Sequence, residues 1–518
     1  MAQKKLIKSS VIVMLFIIGG KVLALIRDSL IAAKFGATYV TDIYNFALGM
    51  VYLLTTISYG LTTTFIPLNS EHIQNSTISE RNKFVNNVIN IASFFTIILT
   101  AVLIIFSKQI IYVFGHGFTS NSVIFAQSVE IIRIMFLSLI FITLGSVATG
   151  VLQSHKRFYE PAAMALVSNL VYIVYLVFLT ARYGIKGFAV ATVIGFFAQF
   201  VINLPKYRKL KYRYKFILDF KNNDVHQMFK LMIPIVISTS VVQLNLFVNR
   251  CFANNIYFGA VTVLDYSNKV STLAYEVFAI GIAMIVYPTL SELAVKNDVV
   301  KYKKSLISAI NTIMIIMIPA SVAIGVLRDP LINLIFKRGA FTTQAANLTS
   351  SALLFYCPAM IAYGVRDILN KAFYSVKDAK TPMLNSFVGI IINISINFAV
   401  MKYMKVSGLA LATTISAAIT TLLMMWNLNK KLKGMNIRKL ILSFVKIVFS
   451  SIIMGIAIYG INNFCMNKIY SPMQGSMISI LASFVFGSVV YFICLYFTGV
   501  EEYRTLIRHF RRNNQSVC

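Results

Sequence analysis

Charged side chains stand in stretches of this chain that are otherwise apolar enough to cross a bilayer. Lys21, Arg27 and Asp28 fall in the first such stretch, and Asp42 opens the second. Arg250 closes the seventh, while Asp265, Lys269 and Glu276 fall in the eighth. Glu130 and Arg133 occupy the fourth; Arg366, Asp367 and Lys371 occupy the tenth. A charge at the bilayer centre costs roughly 2.5–3.5 kcal/mol on insertion scales, so such residues face a wet cavity or pair with one another. Pairing accounts for part of the set. Arg27 with Asp42, and Arg250 with Asp265, can form equivalent ion pairs, and the fourth- and tenth-stretch charges lie near helix ends, where snorkelling or local pairing suffices. Lys21 and Lys269 resist that account. No acid lies one turn from Lys21, and Lys269 has only Asp265 at i−4. Cations from the first two spans of each half would meet in a central cleft, and phosphate is the natural partner of such a cluster.

The elements that must position them are helices in a membrane. Of the 518 residues, 58% are hydrophobic and 13% charged, against about 25% charged in a soluble domain. Apolar runs of the length that crosses a bilayer, about 20 residues, recur along the chain. They lack the alternation of an outer-membrane barrel. Fourteen spans are expected, centred from Met14 to Phe484. The opening MAQKKLIKSS followed by an apolar run could suit a signal peptide, but the run continues into Lys21, Arg27 and Asp28 without a small-residue cleavage site, so it reads as a first helix.

The net charge of +31 gathers in alternate loops: Lys4 to Lys8, His155 to Arg157, the stretch from Lys206 to Asp224, Lys296 to Lys304, Lys430 to Lys439, and Arg504 to Arg512. This is the positive-inside pattern. It places both termini in the cytoplasm and argues for a face near anionic lipid rather than for nucleic acid. The five cysteines (Cys251, Cys357, Cys465, Cys494 and Cys518) are scattered, the five histidines show no metal spacing, and no phosphate-binding loop of the ATPase type is present.

The chain repeats itself. FGATYVTDIYN at Phe35 and FGAVTVLDYSN at Phe258 share six letters in register, and Arg27 and Arg250 precede them at identical spacing. Further on, Pro67 to Glu71 answers Pro288 to Glu292, FGHGFT at Phe114 answers FKRGAFT at Phe336, and GFAVAT at Gly187 answers GLALAT at Gly408. Spans 1–6 and 7–12 are therefore copies, inserted in the same orientation because six is even. The expected architecture is an all-α membrane protein of about 14 helices: an N-terminal lobe over 1–204, a basic cytoplasmic linker over 205–225, a C-terminal lobe over 226–430, and two unpartnered spans with a basic tail over 431–518. Two such lobes around a cleft are the usual build of a transporter.

At this level of detail the chain resembles the MurJ/MviN family of the MOP exporter superfamily. The likeness starts at KVLALIRDSLIAAKFGATYVTD and continues through FIPLNSE at Phe65, YSNKV at Tyr266, YPTLSE at Tyr287, FKRGAFT at Phe336 and AFYSVKDAKTP at Ala372. Members are taken to be flippases for lipid II, the undecaprenyl-diphosphate-linked peptidoglycan precursor. The resemblance implies substrate contacts at Lys21, Arg27, Asp42 and Lys269, with Lys in place of the more frequent Arg at two of them. The family often carries another arginine midway along span 2; MVYLLTTISYG at Met50 has none, and Arg250 is the candidate to replace it. It also implies a sodium site at Asn393, Asn397, the carbonyl of Leu409 and Thr413, with Asn397 where the family pattern has an aspartate.

The implied activity is translocation, not catalysis: the head group would move from inner to outer leaflet by alternating access, driven without nucleotide. Expected partners are lipid II or a similar polyprenyl-diphosphate glycan and membrane lipids, with cell-wall synthesis proteins as further candidates and no nucleic acid. No cofactor is expected apart from sodium. Another undecaprenyl-diphosphate-linked polysaccharide unit is the alternative cargo. A multidrug exporter of the same superfamily would favour acids in its cleft. A membrane transferase would need a carboxylate or metal constellation that is absent, and a scaffold would not explain the buried cations.

Overall fold

The computed structural model describes residues 2–468, 472–500 and 502–503, with side chains from residue 12 onward except at 274, 277, 278, 280, 284, 285 and 472. The basic run from Arg504 to Arg512 and Cys518 lie outside the described residues, as do the side chains of Lys4 to Lys8. Among the described residues the regular structure is helical: α1 (Ala2–Phe35), α2 (Tyr39–Asn75), α3 (Ile78–Ile105), α4 (Ser107–Phe114), α5 (Ser122–Phe136), α6 (Ser138–Ser154), α7 (Tyr159–Phe178), α8 (Thr180–Val201), α9 (Leu204–Lys209), α10 (Asn223–Asn254), α11 (Ala260–Val295), α12 (Val299–Val326), α13 (Arg328–Ile335), α14 (Thr343–Ser375), α15 (Lys380–Lys431), α16 (Ile437–Lys468) and α17 (Pro472–Thr498). Eleven helical stretches among the described residues are long and apolar enough to cross a membrane. The expected first and eighth spans form α1 and α11.

Helix α15 is two crossings. Its 52 residues would reach about 78 Å if straight, and Gly389 and Thr420 would then lie about 46 Å apart. Instead a Cβ built on Gly389 would sit 2.4 Å from Thr420 Oγ1, and Asn393 donates to Thr413 Oγ1 at 3.4 Å. The chain turns back at Lys405, whose φ of 51° is left-handed. Its counterpart in the first copy, Gly184, has φ 55° at the start of α8.

The repeat runs through the helix boundaries. Adding 221 to the residue number carries α3 onto α12, α4 onto α13, the α5–α6 pair onto α14, and the start of α7 onto the start of α15. Caps follow suit. Thr77 forms a capping box with Glu80 at the start of α3, and its counterpart Asp298 accepts from Lys301 N–H at the start of α12.

By contact the chain divides into two compact units. The first comprises residues 1–262 with 338–342, the second 263–337 with 343–518. This division puts α10 with the first unit, whereas the lobes drawn on the repeat put it with the second copy. The reason is packing along α2. Gly60 lets Met232 and Val236 of α10 approach, Gly49 lets Arg250 do so, and Phe46 stacks at a tilt on Phe247 with centroids 5.4 Å apart. The core of this unit joins Phe46, Phe118, Tyr44 and Phe188. In the second unit α11, α12, α14, α16 and α17 enclose Leu306, Ile310, Met317, Phe373 and Leu495.

Candidate functional site

Glycines bring the first cation to its place. Gly19 and Gly20 on α1 face α7, where added Cβ atoms would meet Leu166 and Ala165 at 3.1 and 3.0 Å. The close approach brings Asn169 of α7 against α1. Its amide donates to the carbonyls of Gly20 and Ala165 at 3.2 and 2.8 Å, leaving Oδ1 to accept from Arg27 Nη1 at 3.0 Å. Nε and Nη2 of Arg27 both donate to Asp28 Oδ1, at 3.1 and 2.9 Å, and the guanidinium lies 5.7 Å from the centroid of Tyr172. Tyr172 in turn donates to the carbonyl of Thr192, whose hydroxyl is 3.1 Å from Tyr44 Oη. Arg27 is thus oriented by a carboxylate, an amide and a ring, with 14% of its side chain exposed. Lys21 is half-buried on the same helix, about 9 Å along the axis and a third of a turn round from Arg27.

Asp42 is placed differently from expectation. The ion pair with Arg27 is not formed; Asp28 takes that role. Asp42, 1% exposed, instead accepts from the N–H of Gly259 at 2.6 Å, and from the N–H and hydroxyl of Thr262 at 2.8 and 2.7 Å. These donors belong to the first turn of α11, whose N–H groups have no partner within the helix, so Asp42 acts as a cap supplied by another helix. Asn45, one residue short of a helical turn further on, donates to Thr262 Oγ1.

Arg250 lies across α2. A Cβ on Gly49 would stand 2.2 Å from its Nη1, so the guanidinium occupies the space a side chain would need there. That level immediately precedes the stretch from Met50 where the expected arginine is missing. In the second unit Lys269 Nζ lies 5.4 Å from the ring of Tyr266, which stacks on Phe336 at 4.4 Å. Lys21, Arg27, Asp42 and Arg250 therefore fall in the first unit, and Lys269 in the second.

The charges of the fourth and tenth spans are matched locally, as helix-end positions allow. Lys186 pairs with Glu130 at 2.5 Å, and Arg133 Nε donates to Ser107 Oγ at 2.7 Å. Tyr275 donates to Asp367 at 2.5 Å, Arg366 covers Tyr363, and Lys371 covers Tyr287. Asn393, Asn397, Leu409 and Thr413 do converge, all at most 1% exposed. Asn397 Nδ2 donates to Asn393 Oδ1, Asn393 Nδ2 to Thr413 Oγ1, and Thr413 Oγ1 to the carbonyl of Leu409. Three of the oxygens a sodium ion would use, on Asn393, Leu409 and Thr413, thus already accept hydrogen bonds, and no carboxylate is among the four residues. The set fits a hydrogen-bonded clasp better than a hard-cation site.

Sequence reasoning missed Asn169 and Tyr172, which fix Arg27 from α7, far along the chain. The pair Gly19–Gly20 was the available signal, since adjacent glycines in a membrane helix mark a close crossing.

A profile for the family described as lipid II flippase MurJ matches residues 31–483. The chain is similar to the probable lipid II flippase MurJ of Rickettsia prowazekii, 28% identical over 505 residues that cover 96% of this chain and 99% of the other. It is 27% identical over 474 residues to the lipid II flippase MurJ of Thermosipho africanus, covering 91% and 94%. A solved structure of lipid II flippase MurJ in an inward closed conformation matches with a TM-score of 0.80 at 26% identity, over 95% of this chain and 100% of that one. An inward-facing multidrug resistance MATE family transporter matches at 0.66 with 14% identity, over 80% and 94%, which is a likeness of fold.

Proposed function

The chain belongs to the lipid II flippase MurJ family, and on that premise we propose that it moves lipid II from the inner to the outer leaflet of the bacterial cytoplasmic membrane. The observation that carries the reading is Arg27: a guanidinium within a membrane helix, held in one orientation by Asp28, Asn169 and Tyr172. Its remaining charge field suits a diphosphate, which offers several acceptor oxygens to planar donors. Lys21, on the same helix, adds a point charge. Arg250, laid over Gly49, supplies the cation that α2 lacks. The head group would bind while the lobes open inward and leave when they open outward, with the polyprenyl tail remaining in lipid. No bond is made or broken, so the protein is a transporter and not an enzyme.

The basic loops support a cytoplasmic position for both termini and the linker. Membrane potential, an ion gradient or consumption of the product would supply the driving force. The clasp at Asn393, Asn397, Leu409 and Thr413 argues against a resident sodium ion. Replacing sodium by potassium should leave the melting temperature of the purified protein unchanged; a sodium-specific rise of several degrees would show that the clasp opens to bind the ion.

Conditional depletion tests the function. Lipid II should accumulate on the inner leaflet as the protein is lost. An unchanged lipid II pool beside a stalled intermediate of another undecaprenyl-diphosphate glycan would assign a different cargo.

A further inference from the structure

The linker between the repeats is held to the protein in an unusual way. From Tyr212 to Asp219 the backbone belongs to no regular element; its alternate carbonyls, from Lys211 to Asp219, turn to α3, which is the two-residue period of an extended chain, and no strand pairs with it among the described residues. Asparagines of α3 take the place of a strand. Asn82, Asn86, Asn87 and Asn90 donate to the carbonyls of Lys211, Arg213, Asp219 and Ile217 at 2.8–3.1 Å. The segment answers with the N–H of Asp219 to Asn87 and the hydroxyl of Tyr214 to Asn90. Backbone groups beside a bilayer must find partners, and this ladder supplies them.

With the backbone fixed, the two-residue alternation of an extended chain decides where side chains go. Tyr214, Phe216 and Leu218 line one cavity of about 530 Å³, with Phe94 and Ile97 of α3 and Ala148 of α6 among its other walls. The walls are almost wholly apolar. The same segment carries five exposed cations, Arg208, Lys209, Lys211, Arg213 and Lys215, the last two alternating with the residues that line the cavity, and no acid stands between Leu204 and Leu218 to neutralise them. Tyr214 and Phe216 are 64% and 72% exposed. Aromatic side chains so exposed beside a cationic strip suit the interface of a membrane, not bulk water.

We propose that the cavity and the cationic linker form a binding site for one anionic phospholipid. An acyl chain enters beneath Phe216, and the phosphodiester lies against the cations from Arg208 to Lys215. Charge complementarity selects the anionic head group, and the apolar cavity selects a chain rather than a free phosphate. The leaflet assignment rests on the sidedness proposed above; the binding itself does not.

Tryptophan quenching by brominated lipid tests this in the full-length protein. The one native tryptophan, Trp426, is replaced by W426F, and F216W reports on the cavity mouth in phosphatidylcholine vesicles. Brominated phosphatidylglycerol should compete for the site at least about fivefold better than brominated phosphatidylcholine, the gain expected from roughly one effective cation contact. Replacing Arg208, Lys209, Lys211 and Arg213 together by Gln should bring that ratio to about one. S93F, which fills the cavity from α3, should lower the quenching plateau while the thermal transition in neutral lipid stays unchanged. A ratio near one in the starting protein, or one that survives the fourfold Gln variant, overturns the proposal. So does displacement of the brominated phospholipid by equimolar undecaprenyl diphosphate, which would give the cavity to the tail of the cargo.

Discussion

Single residues in this chain carry charge for two different purposes, and substitution separates them. Lys21 and Lys269 are half-buried cations in helices with a membrane-spanning role. K21Q and K269Q should each abolish complementation of a depleted strain at normal abundance. K21R and K269R should be tolerated, because the site needs charge first. Activity in both Gln variants would sink the cationic site. Arg27 should behave otherwise: R27A strands Asp28, whose side chain is 7% exposed, and an uncompensated buried charge costs about 3–5 kcal/mol. Abundance and function should fall together. Asp42 belongs with the structural residues. D42A removes the acceptor for three donors at the start of α11, and each unsatisfied buried donor costs about 1–3 kcal/mol. Its thermal transition should drop by several degrees before any transport assay is done, and an unchanged transition would return Asp42 to the ligand site. The types of these residues were visible in the sequence. Their partners were not, since Asp42 caps a helix start 217 to 220 residues away and nothing in the spacing announces that contact.

At the scale of elements, the helices were legible because apolar length is a strong signal, and the repeat set their order. The irregular parts were not. A basic, tyrosine-rich run reads as a solvated linker, yet its extended half is strapped to α3 by four asparagines that look unremarkable in an apolar helix. The strap contains a pH response. His155, at the end of α6, sits 3.1 Å from the hydroxyl of Tyr212, and Arg81 covers the Tyr212 ring at 4.1 Å. Burial, with Arg81 and Arg157 nearby, holds the imidazole below its ordinary value of about 6.5. The unfolded or undocked form therefore binds the proton more readily. The docking contribution is full above the ordinary value and is lost as pH falls through it toward the lower folded value. Amide protection over residues 210–215, measured against the intrinsic exchange rate at each pH, should fall below about pH 6.5 in the parent protein and lose that dependence in H155Q. Equal pH dependence in both would mean that the loop opens for another reason.

The whole molecule is a duplicated chain, and the strings repeated in its sequence recur at one set of contacts. Gly117, in the loop between α4 and α5, approaches the carbonyl of Asn254 so closely that a Cβ would stand 2.0 Å from it. Gly339, its counterpart in the second copy, does the same to the carbonyl of Ala33 at 2.2 Å. Ala33 and Asn254 lie near the ends of α1 and α10, the first helix of each copy, so each copy's loop rests on the end of the other copy's first helix. Gly36 and Gly259, both at positive φ, add close approaches to the carbonyls of Ala340 and Ala37. Only glycine permits such backbone contact, which explains why FGA and the later glycine are spelled twice. If the protein works by alternating access, these contacts must part when the substrate leaves. The N–H of Ala340 donates to the carbonyl of Ala33 at 2.8 Å, so cysteines at both positions can be joined by a short thiol cross-linker. In a background lacking the native cysteines, the joined A33C/A340C protein should lose at least about nine-tenths of its transport, and cleavage of a reducible linker should restore it. Either single cysteine should remain active under the same treatment. Full transport with the two positions joined would mean that these glycine contacts never open, and that the cargo leaves by a path on which this set of contacts does not lie.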